Sequence, residues 1–425
     1  NSKAAAKSFR VNQKDNFDQT KCLIISSKAS DGCCWHPPTL WIGIGCERNT
    51  SGSLLRRALK NTLLEVGLAR EAIAGLASID IKSDESSLLS FAQQSDWPIR
   101  YFNSKELSNI DVPTPSKIVN SIIGTPSVSE ASALLAAGVD AILLTKKHVF
   151  QAKDDEIGAV TIAIAEASRP FAPHRGELHL IGSGPGELAY LTPDAKAALA
   201  RSVVWIGYGR YLDLLEPLRR SDQVRLTGQL TFELDRCKQA IELAKQGIRV
   251  SLVSSGDSGI YGMAGLALEL LLDDLPNIRP PFSIHPGISA LQVAAAKVGA
   301  PLMNDFCTIS LSDRLTPWDT IKERLRGASM GDFVMAIYNP RSKDRDWQLQ
   351  SAIDIVRQYR SAKTPIVLAR QVARVDEKIH FYTLDAFPIN KVDMLTIILI
   401  GNSQSVVKDR FFLTPRGYLK LEHID

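Results

Sequence analysis

A run of β-prone apolar residues, Gly247-Ile-Arg-Val-Ser-Leu-Val-Ser254, leads into Ser255-Gly-Asp-Ser-Gly-Ile-Tyr-Gly-Met-Ala-Gly265. Few architectures accommodate glycines at 256, 259 and 262 directly after such a run. The run reads as a buried strand, so the turn falls where a strand's carboxyl end meets a helix, which is where open α/β sheets seat their ligands. Glycine there lets backbone N–H and C=O groups approach a bound molecule with no Cβ in the way. About thirty residues later come His285-Pro-Gly-Ile-Ser-Ala290 and Gly299-Ala-Pro301. Two such loops suggest one small polar molecule held between consecutive βα units.

At 425 residues the chain is too long for one typical core and predicts two or three domains. A hydrophobic content of 45% with 23% charged residues is ordinary globular composition. The formal charge of +4 argues against a nonspecific nucleic-acid binder, whose basic residues would dominate, but permits a local basic pocket. Six cysteines, irregularly spaced, fit a reducing cytosol better than a disulfide framework. Cys33-Cys34-Trp-His36 lacks paired ligand spacing, so no protein-bound metal is expected. No apolar run reaches the 18 or so residues that span a bilayer and no signal pattern opens the sequence, so the expectation is a soluble, cytoplasmic protein without membrane contacts.

Residues 1–39 read as a tail or linker, with Lys21 to Ser26 as its strand-like piece. Residues 40–168 then alternate strand and helix: strands at Leu40 to Gly45, Leu76 to Ile81, Ile99 to Phe102, Ala141 to Leu144 and Ala159 to Ala165, helices at Ser53 to Val66 and Glu85 to Gln93. Ser127-Val-Ser-Glu130 forms a capping-box pattern ahead of a helix over Ala131 to Ala137, which Gly138 stops. This predicts a small α/β domain. A Pro-rich connector, residues 169–176, leads to a second unit over 177–425 with two lobes, about 177–300 and 301–425. The fold class expected is therefore α/β: a small α/β domain followed by a bilobed α/β unit.

The second unit opens on Leu178-His-Leu-Ile-Gly182, a strand that enters Gly182-Ser-Gly-Pro-Gly-Glu187. A dinucleotide fingerprint would need glycine at 187, where a glutamate would repel a pyrophosphate, and Pro185 interrupts the turn, so a nicotinamide fold is disfavoured. Helices follow at Thr192 to Ala200 and Phe232 to Lys245, with a strand at Val203 to Ile206. In the second lobe strands are expected from Asn304 onward and at Phe333 to Tyr338, Thr364 to Ala369, Lys378 to Thr383 and Met394 to Gly401; helices at Asp319 to Gly327 and Leu349 to Tyr359. A cleft between the lobes would collect the loops after 184, 256, 287, 310, 338 and 396.

Gly182-Ser-Gly-Pro-Gly, Ser255-Gly-Asp-Ser-Gly-Ile-Tyr-Gly-Met, Pro286-Gly-Ile-Ser-Ala, Gly299-Ala-Pro-Leu-Met, Ile309-Ser-Leu-Ser-Asp, Leu315-Thr-Pro-Trp, Tyr338-Asn-Pro-Arg and Asp393-Met-Leu-Thr occur in order over about residues 177–404. Together they resemble the precorrin-3B C17-methyltransferase family of cobalamin biosynthesis, a branch of the tetrapyrrole methylases. Asn304 departs from the pattern, since the family often has histidine before Asp-Phe. Gly43-Ile-Gly-Cys-Glu-Arg, Leu76-Ala-Ser-Ile-Asp-Ile-Lys and Ser127-Val-Ser-Glu-Ala-Ser-Ala-Leu in turn resemble the C-terminal domain of the cobalt-precorrin-5A hydrolase family. That family's amino-terminal portion has no counterpart here.

The resemblance implies methyl transfer from S-adenosylmethionine to a carbon of a tetrapyrrole substrate, with or without cobalt, accompanied by ring contraction, and it implies a homodimer. By the same resemblance Gly256, Asp257, Ser258 and Ile260 hold the methionine and ribose part of the donor. Ser289, Ala290, Tyr338, Val372 and Thr396 line the adenine and sulfonium pocket, with Pro185 at its edge. For Gly256 to Gly262 the alternative is a plain strand–helix turn, and for Val372 and Thr396 core packing. Gly184, Asn304, Arg314 and Arg341 are the candidate substrate contacts. A macrocycle bearing many carboxylates calls for cations, and Arg314, Arg341, Lys343, Arg345, Arg370 and Arg374 follow the proposed cleft strands, where each could equally be a solvated charge. Ring contraction needs proton transfers, for which Asp305, Asp313, Ser310 and Tyr338 are candidates; Asp313 could instead cap a turn.

In the first unit Cys46, Glu47, Ser129 and Glu130 admit a hydrolase reading, against which stands a helix cap (Ser127, Glu130) and a small residue at a strand end (Cys46). Two classes of function remain open on the sequence. One is a methyltransferase fused to a hydrolase-family domain that docks or channels the intermediate, with methylation at another ring carbon as the variant within enzymes. The other is a non-catalytic carrier of corrinoid intermediates.

Overall fold

A computed structural model describes residues 24–30, 33–229, 232–342 and 345–418. The chain divides into two compact units, Asn1–Ala172 and Pro173–Asp425, and the class is mixed α/β.

The first unit contains, in chain order, β1 (Ile24–Ile25), β2 (Cys34–Trp35), β3 (Leu40–Cys46), α1 (Gly52–Val66), β4 (Ile73–Ile79), α2 (Ser86–Ser95), β5 (Ile99–Phe102), α3 (Ser104–Ser108), α4 (Lys117–Ile123), α5 (Val128–Ala137), β6 (Ile142–Gln151) and β7 (Ala159–Glu166). Its sheet has the order β5-β4-β3-β7-β6. β3, β4 and β5 run parallel, while β7 and β6 return antiparallel. Helices cross between the parallel strands, so β3 is buried through Leu40, Trp41, Ile42 and Ile44 rather than alternating in and out. Ile42, Ile44, Leu54, Leu55, Leu76, Leu88 and Ile162 form one core between the sheet and α1 and α2.

Three expectations change here. Part of the presumed tail belongs to the fold: β1 pairs in parallel with β2, Ala29 N–H donates to Gly67 O at 2.9 Å and Ala69 N–H to Ser27 O at 2.9 Å. Of the strand expected at Lys21 to Ser26, residues 21–23 lie outside the described residues. β4 starts three residues before the expected Leu76, because Ile73-Ala-Gly75 looks like loop yet is fully buried. The capping box is half formed. Ser127 Oγ accepts from Glu130 N–H at 3.4 Å, but the Glu130 carboxylate turns inward to the Thr114 hydroxyl (2.7 Å), Thr114 N–H (3.3 Å) and Lys147 N–H (3.0 Å). A buried carboxylate needs several donors, and the inward loop supplies more than the helix terminus could.

The second unit continues with β8 (Glu177–Gly182), α6 (Pro193–Arg201), β9 (Val204–Tyr208), α7 (Gly209–Leu215), β10 (Val224–Gly228), α8 (Glu233–Lys245), β11 (Arg249–Ser254), α9 (Ala264–Asp273), β12 (Phe282–His285) and α10 (Ala290–Val298). Then come β13 (Gly299–Ala300), β14 (Phe306–Ser310), α11 (Trp318–Met330), β15 (Val334–Tyr338), α12 (Trp347–Arg357), β16 (Pro365–Arg370), β17 (Lys378–Thr383), β18 (Thr396–Ile400), β19 (Val406–Lys408) and β20 (Phe411–Leu413). The first lobe is an all-parallel sheet, β10-β9-β11-β8-β12. The chain goes from β8 outward to β9 and β10, returns to β11 beside β8, then crosses to β12 on its other flank. That change of direction opens a crevice at the carboxyl ends of β11, β8 and β12. The second lobe is the mixed sheet β14-β15-β18-β16-β17, with β14 and β15 parallel and β18 antiparallel to both neighbours. A small sheet, β13-β20-β19, pairs Gly299 with Phe412 and so ties the end of α10 to the C-terminal segment.

Candidate functional site

The carboxyl ends of β8, β11 and β12 carry three loops that touch backbone to backbone. Gly184 and Gly256 form a two-way bridge, with N–H to O distances of 3.1 and 2.7 Å. A Cβ on Gly287 would lie 2.0 Å from Gly256 O and 2.7 Å from Gly182 C and O, so no other residue fits without moving main chain. Gly256 itself sits at φ +66°, left-handed backbone that an L side chain occupies at a cost. Asp257 ties the loops together: Oδ1 accepts from Gly259 N–H at 2.8 Å and Oδ2 from Gly287 N–H at 2.9 Å. Each oxygen keeps acceptor capacity toward a ligand. Ser258 is buried with its hydroxyl turned to Leu180 O at 3.5 Å, and Ile260 is partly exposed beside it.

The second lobe closes on this cradle through three contacts. Tyr338, at the carboxyl end of β15, accepts Leu291 N–H on its hydroxyl at 3.2 Å and also hydrogen-bonds the Ser289 side chain. It thus fixes the first turn of α10, where Ser289 and Ala290 lie. Burial pushes the Tyr338 hydroxyl above the usual phenol range and keeps it protonated near neutrality. Tyr261, from the β11–α9 loop, packs its ring 5.2 Å from that of Tyr338 and hydrogen-bonds Thr308 Oγ1 at 3.4 Å. Arg374 donates from Nε to Pro185 O at 3.0 Å, and burial lowers its pKa. Val372 is buried in the cluster that includes Leu291, Ala373 and Ile397, with Tyr338 packed on it. Thr396 pairs in register with Arg370 and donates to Asp393 Oδ1 at 2.8 Å. Burial alone would raise the Asp393 pKa, but Arg370 at 2.7 Å and Thr396 outweigh it and hold the carboxyl below its ordinary range.

Tyr261, Asn339, Gln371 and Ala373 all have φ between 48° and 57°, and none is glycine. Such residues cost about 1–3 kcal/mol each and tend to collect where a ligand must be held. Sequence reasoning missed Tyr261 as a contact between the lobes. Its place in Gly-Ile-Tyr-Gly was visible, but the left-handed backbone that turns the ring toward Tyr338 was not.

The structure brings Gly184, Pro185, Gly256, Asp257, Ser289, Ala290 and Tyr338 into one crevice, with Val372 and Thr396 behind it. Ser310 and Tyr338 are register partners on adjacent strand ends, and Ser310 Oγ accepts from Asn339 Nδ2 at 3.0 Å. Asp313 follows Ser310, accepting from Gln348 Nε2 at 2.9 Å with Arg345 Nε at 3.9 Å. Asn304 and Asp305 are not brought here. They precede β14 at its amino end, and Asp305 O pairs with Val334 N–H at the start of β15. At about 3.3 Å per residue this sets Asp305 roughly 16 Å and Asn304 roughly 20 Å along the strand from Ser310. Asp305 and Asn304 therefore do not share the strand end that carries Ser310 and Tyr338.

The proposed cation cluster also breaks up. Arg345 is buried and donates to Leu311 O at 2.7 Å, Arg370 pairs with Asp393, and Arg374 holds Pro185. Lys343 lies outside the described residues. Arg314 is exposed and makes no ion pair among the described residues, while Arg341 reaches Asp346 only at 4.0 Å. Beneath the cradle, His179 on β8 and His285 on β12 meet at 3.1 Å; His179 also contacts Glu177 (3.1 Å) and His285 contacts Asp194 (2.6 Å). Among the described residues no three His, Cys, Asp or Glu side chains are grouped to hold a metal ion, and no helix is long and apolar enough to cross a membrane. Cys34 Sγ and His36 Nδ1 are 3.7 Å apart, with His36 Nδ1 also 2.7 Å from Ser26 O.

Residues 177–388, which hold the parallel sheet and its glycine cradle, match the model described as tetrapyrrole (corrin/porphyrin) methylases, and the chain belongs to that family. Residues 40–165 match the model described as cobalamin synthesis G C-terminus. Among relatives, the probable cobalt-factor III C(17)-methyltransferase of Salmonella typhimurium is 42% identical over 241 residues, 57% of this chain and 99% of that protein. The precorrin-3B C(17)-methyltransferase of a Sinorhizobium species is 38% identical over 249 residues, 57% of this chain and 97% of that protein. The crystal structure of the methyltransferase CobJ superposes with a TM-score of 0.54 at 37% identity, covering 56% of this chain and 100% of that one.

Proposed function

We propose that the second unit transfers a methyl group from S-adenosylmethionine to C17 of a precorrin-3B or cobalt-factor III type macrocycle, with contraction of the ring. The observation that carries this reading is the near full-length match to relatives of that name, laid over an intact glycine cradle. The donor supplies a methyl group on a sulfonium and has no phosphate, which suits loops built from backbone amides with no P-loop lysine. Gly184, Gly256 and Gly287 let the three loops pack main chain to main chain, and Asp257, Ser289, Ala290 and Tyr338 border the crevice that this leaves. The barrier is lowered chiefly by holding sulfonium and carbon in line, so a rigid seat matters more than an acid or base for methyl transfer.

Ring contraction requires proton movement. On this reading the protonated Tyr338 hydroxyl and Ser310 are the donors nearest the cradle, and Asp313 is the acceptor. Arg314 and Arg341, on the loops after β14 and β15, are the cations left to meet substrate carboxylates. Assembly as a homodimer and a cytoplasmic location belong to the same proposal, and sedimentation of the purified chain tests the first. The decisive experiment incubates the full chain anaerobically with isotopically labelled donor and either macrocycle. A singly methylated, ring-contracted product by mass spectrometry supports the proposal. Donor binding without product refutes it, and absence of donor binding by calorimetry leaves the carrier reading in its place.

A further inference from the structure

Tyr261 holds a backbone conformation that a bulky residue rarely takes: at φ +54° it is left-handed without being glycine. The loop around it is pinned on both sides. Before it, Asp257 Oδ1 accepts Gly259 N–H at 2.8 Å and Asp257 O accepts Ile260 N–H at 3.4 Å. After it, Ser254 Oγ accepts Met263 N–H at 3.1 Å and Ser258 O accepts Ala264 N–H at 3.0 Å. A Cβ on Gly262 would stand 2.5 Å from Ser258 O, so the loop closes main chain to main chain there. Strain of this kind persists only where the surroundings over-determine it, and it collects at ligand seats. Glycine would make the same turn without that cost, so what position 261 supplies is its side chain.

That side chain crosses to the second lobe. The ring stands 5.2 Å from the ring of Tyr338, tilted by 52°, and the hydroxyl lies 3.4 Å from Thr308 Oγ1. Tyr338 is itself fixed by Leu291 N–H on its hydroxyl. Two rings, one from each lobe, thus meet beside the cradle, and the contact does not use up their surface. Tyr261 remains 51% exposed and Tyr338 is half-buried. A plain apolar latch between lobes would bury its ring, whereas this one leaves a face open.

The donor named above carries a positive sulfur with no hydrogen to give, so the acceptor oxygens of Asp257 offer it no hydrogen bond. An aromatic face attracts such a cation through its quadrupole, as it does a quaternary ammonium. We propose that Tyr261 recognises the charge of the methyl donor, its open ring face, braced by Tyr338, meeting the sulfonium. This rests on S-adenosylmethionine being the donor, and not on which macrocycle or which carbon receives the methyl group. It also favours release of the spent donor, because the thioether left after transfer is neutral and the ring has no charge to hold.

S-adenosylmethionine and S-adenosylhomocysteine differ by the methyl group and its positive charge, so titration calorimetry of the full chain with each isolates the contact. The readout is the ratio of dissociation constants, homocysteine form over methionine form; a change in loop shape or in adenosine contacts moves both constants together and cancels. Tyr261→Leu is expected to lower the ratio about fivefold, the size of a half-exposed cation–π contact. Tyr261→Gly lowers it equally while relieving the left-handed backbone, so poor folding of the leucine chain does not decide the outcome. Tyr261→Phe loses the Thr308 contact but keeps the ring, and holds the ratio within twofold. The proposal is overturned if the leucine and glycine chains both keep the parent ratio within twofold, which is the result for a lobe latch or for a ring stacked on adenine. It is overturned too if Tyr261→Phe lowers the ratio as far as Tyr261→Leu. A parent chain that binds neither compound overturns it together with the methyltransferase reading. Binding with the expected ratios but no methylated macrocycle supports it and overturns that reading alone.

Discussion

Replacing Gly287 by alanine tests whether the cradle is held by main-chain contact. The added carbon would stand 2.0 Å from Gly256 O, where even a tight Cβ contact needs 3.0 Å, so main chain must give by about 1 Å or more. Nothing flexible is available to yield, because the nearest atoms all belong to Gly256 and Gly182. The same segments carry the Gly184–Gly256 bridge and the Asp257 bond to Gly287 N–H. Overpacking at about 1–3 kcal/mol, plus a hydrogen bond or two at about 1 kcal/mol each, gives a loss of about 3 kcal/mol. For a unit of this size that lowers the midpoint by about 6–12 °C. Scanning calorimetry reads the second unit's transition, and titration calorimetry reads S-adenosylmethionine binding, which should weaken by more than tenfold. Gly265→Ala is the control: it lies in α9 with nothing within 4 Å of the new carbon, and should gain about 0.5–1 kcal/mol. A Gly287→Ala chain that melts with the parent and binds the donor within twofold refutes the reasoning.

Asp257→Asn keeps the shape but turns one acceptor into a donor facing Gly259 or Gly287 N–H, so donor affinity should fall about tenfold by titration calorimetry while the first unit's transition stays put. Tyr338→Phe leaves Leu291 N–H without its acceptor and should cost about 1 kcal/mol in the second unit's unfolding free energy, with a larger fall in kcat than in KM. Burial, then the neighbouring His285 ring, lowers the pKa of His179 against the opposing pull of Glu177. Folded His179 therefore resists the proton that the unfolded chain takes up near pH 6.5. Its contribution is complete above that pH and is lost as pH falls toward the lower folded value. Thermal midpoints between pH 7.5 and 5 should drop more steeply for the parent than for His179→Leu; equal slopes would remove His179 from the account.

What the sequence disclosed follows from how each element announces itself. β18 is an apolar run buried throughout and β11 is buried from Val250 onward, and their positions are legible from composition alone. β12 was not: Phe282, Ser283 and Ile284 are all exposed on an edge, so burial left no pattern. α3, α4 and α7 are too short, at five to seven residues, for a helical period to emerge. The glycine loops could be placed beside one another because strand ends converge at a switch point. Which charges remained free could not, since Arg345 and Arg374 reach carbonyl groups far away in sequence. Glu130 shows the same limit: a cap is a local choice, and Thr114 and Lys147 outcompeted it from other elements. That Asp305 stands a strand's length from Ser310 was likewise hidden, because residue order alone does not say which end of β14 meets the crevice.

The four left-handed residues beside the crevice bear on any attempt to harden this molecule. Gln371→Gly and Ala373→Gly would each relieve backbone strain, and a stability screen would favour them. Both sit in the turn that carries Arg374 to Pro185, so the relaxed chain would be freer to swing that arm away. A more heat-resistant variant selected there is expected to grip its donor less well, and gains in robustness are better sought in the helices on the outer faces of the lobes.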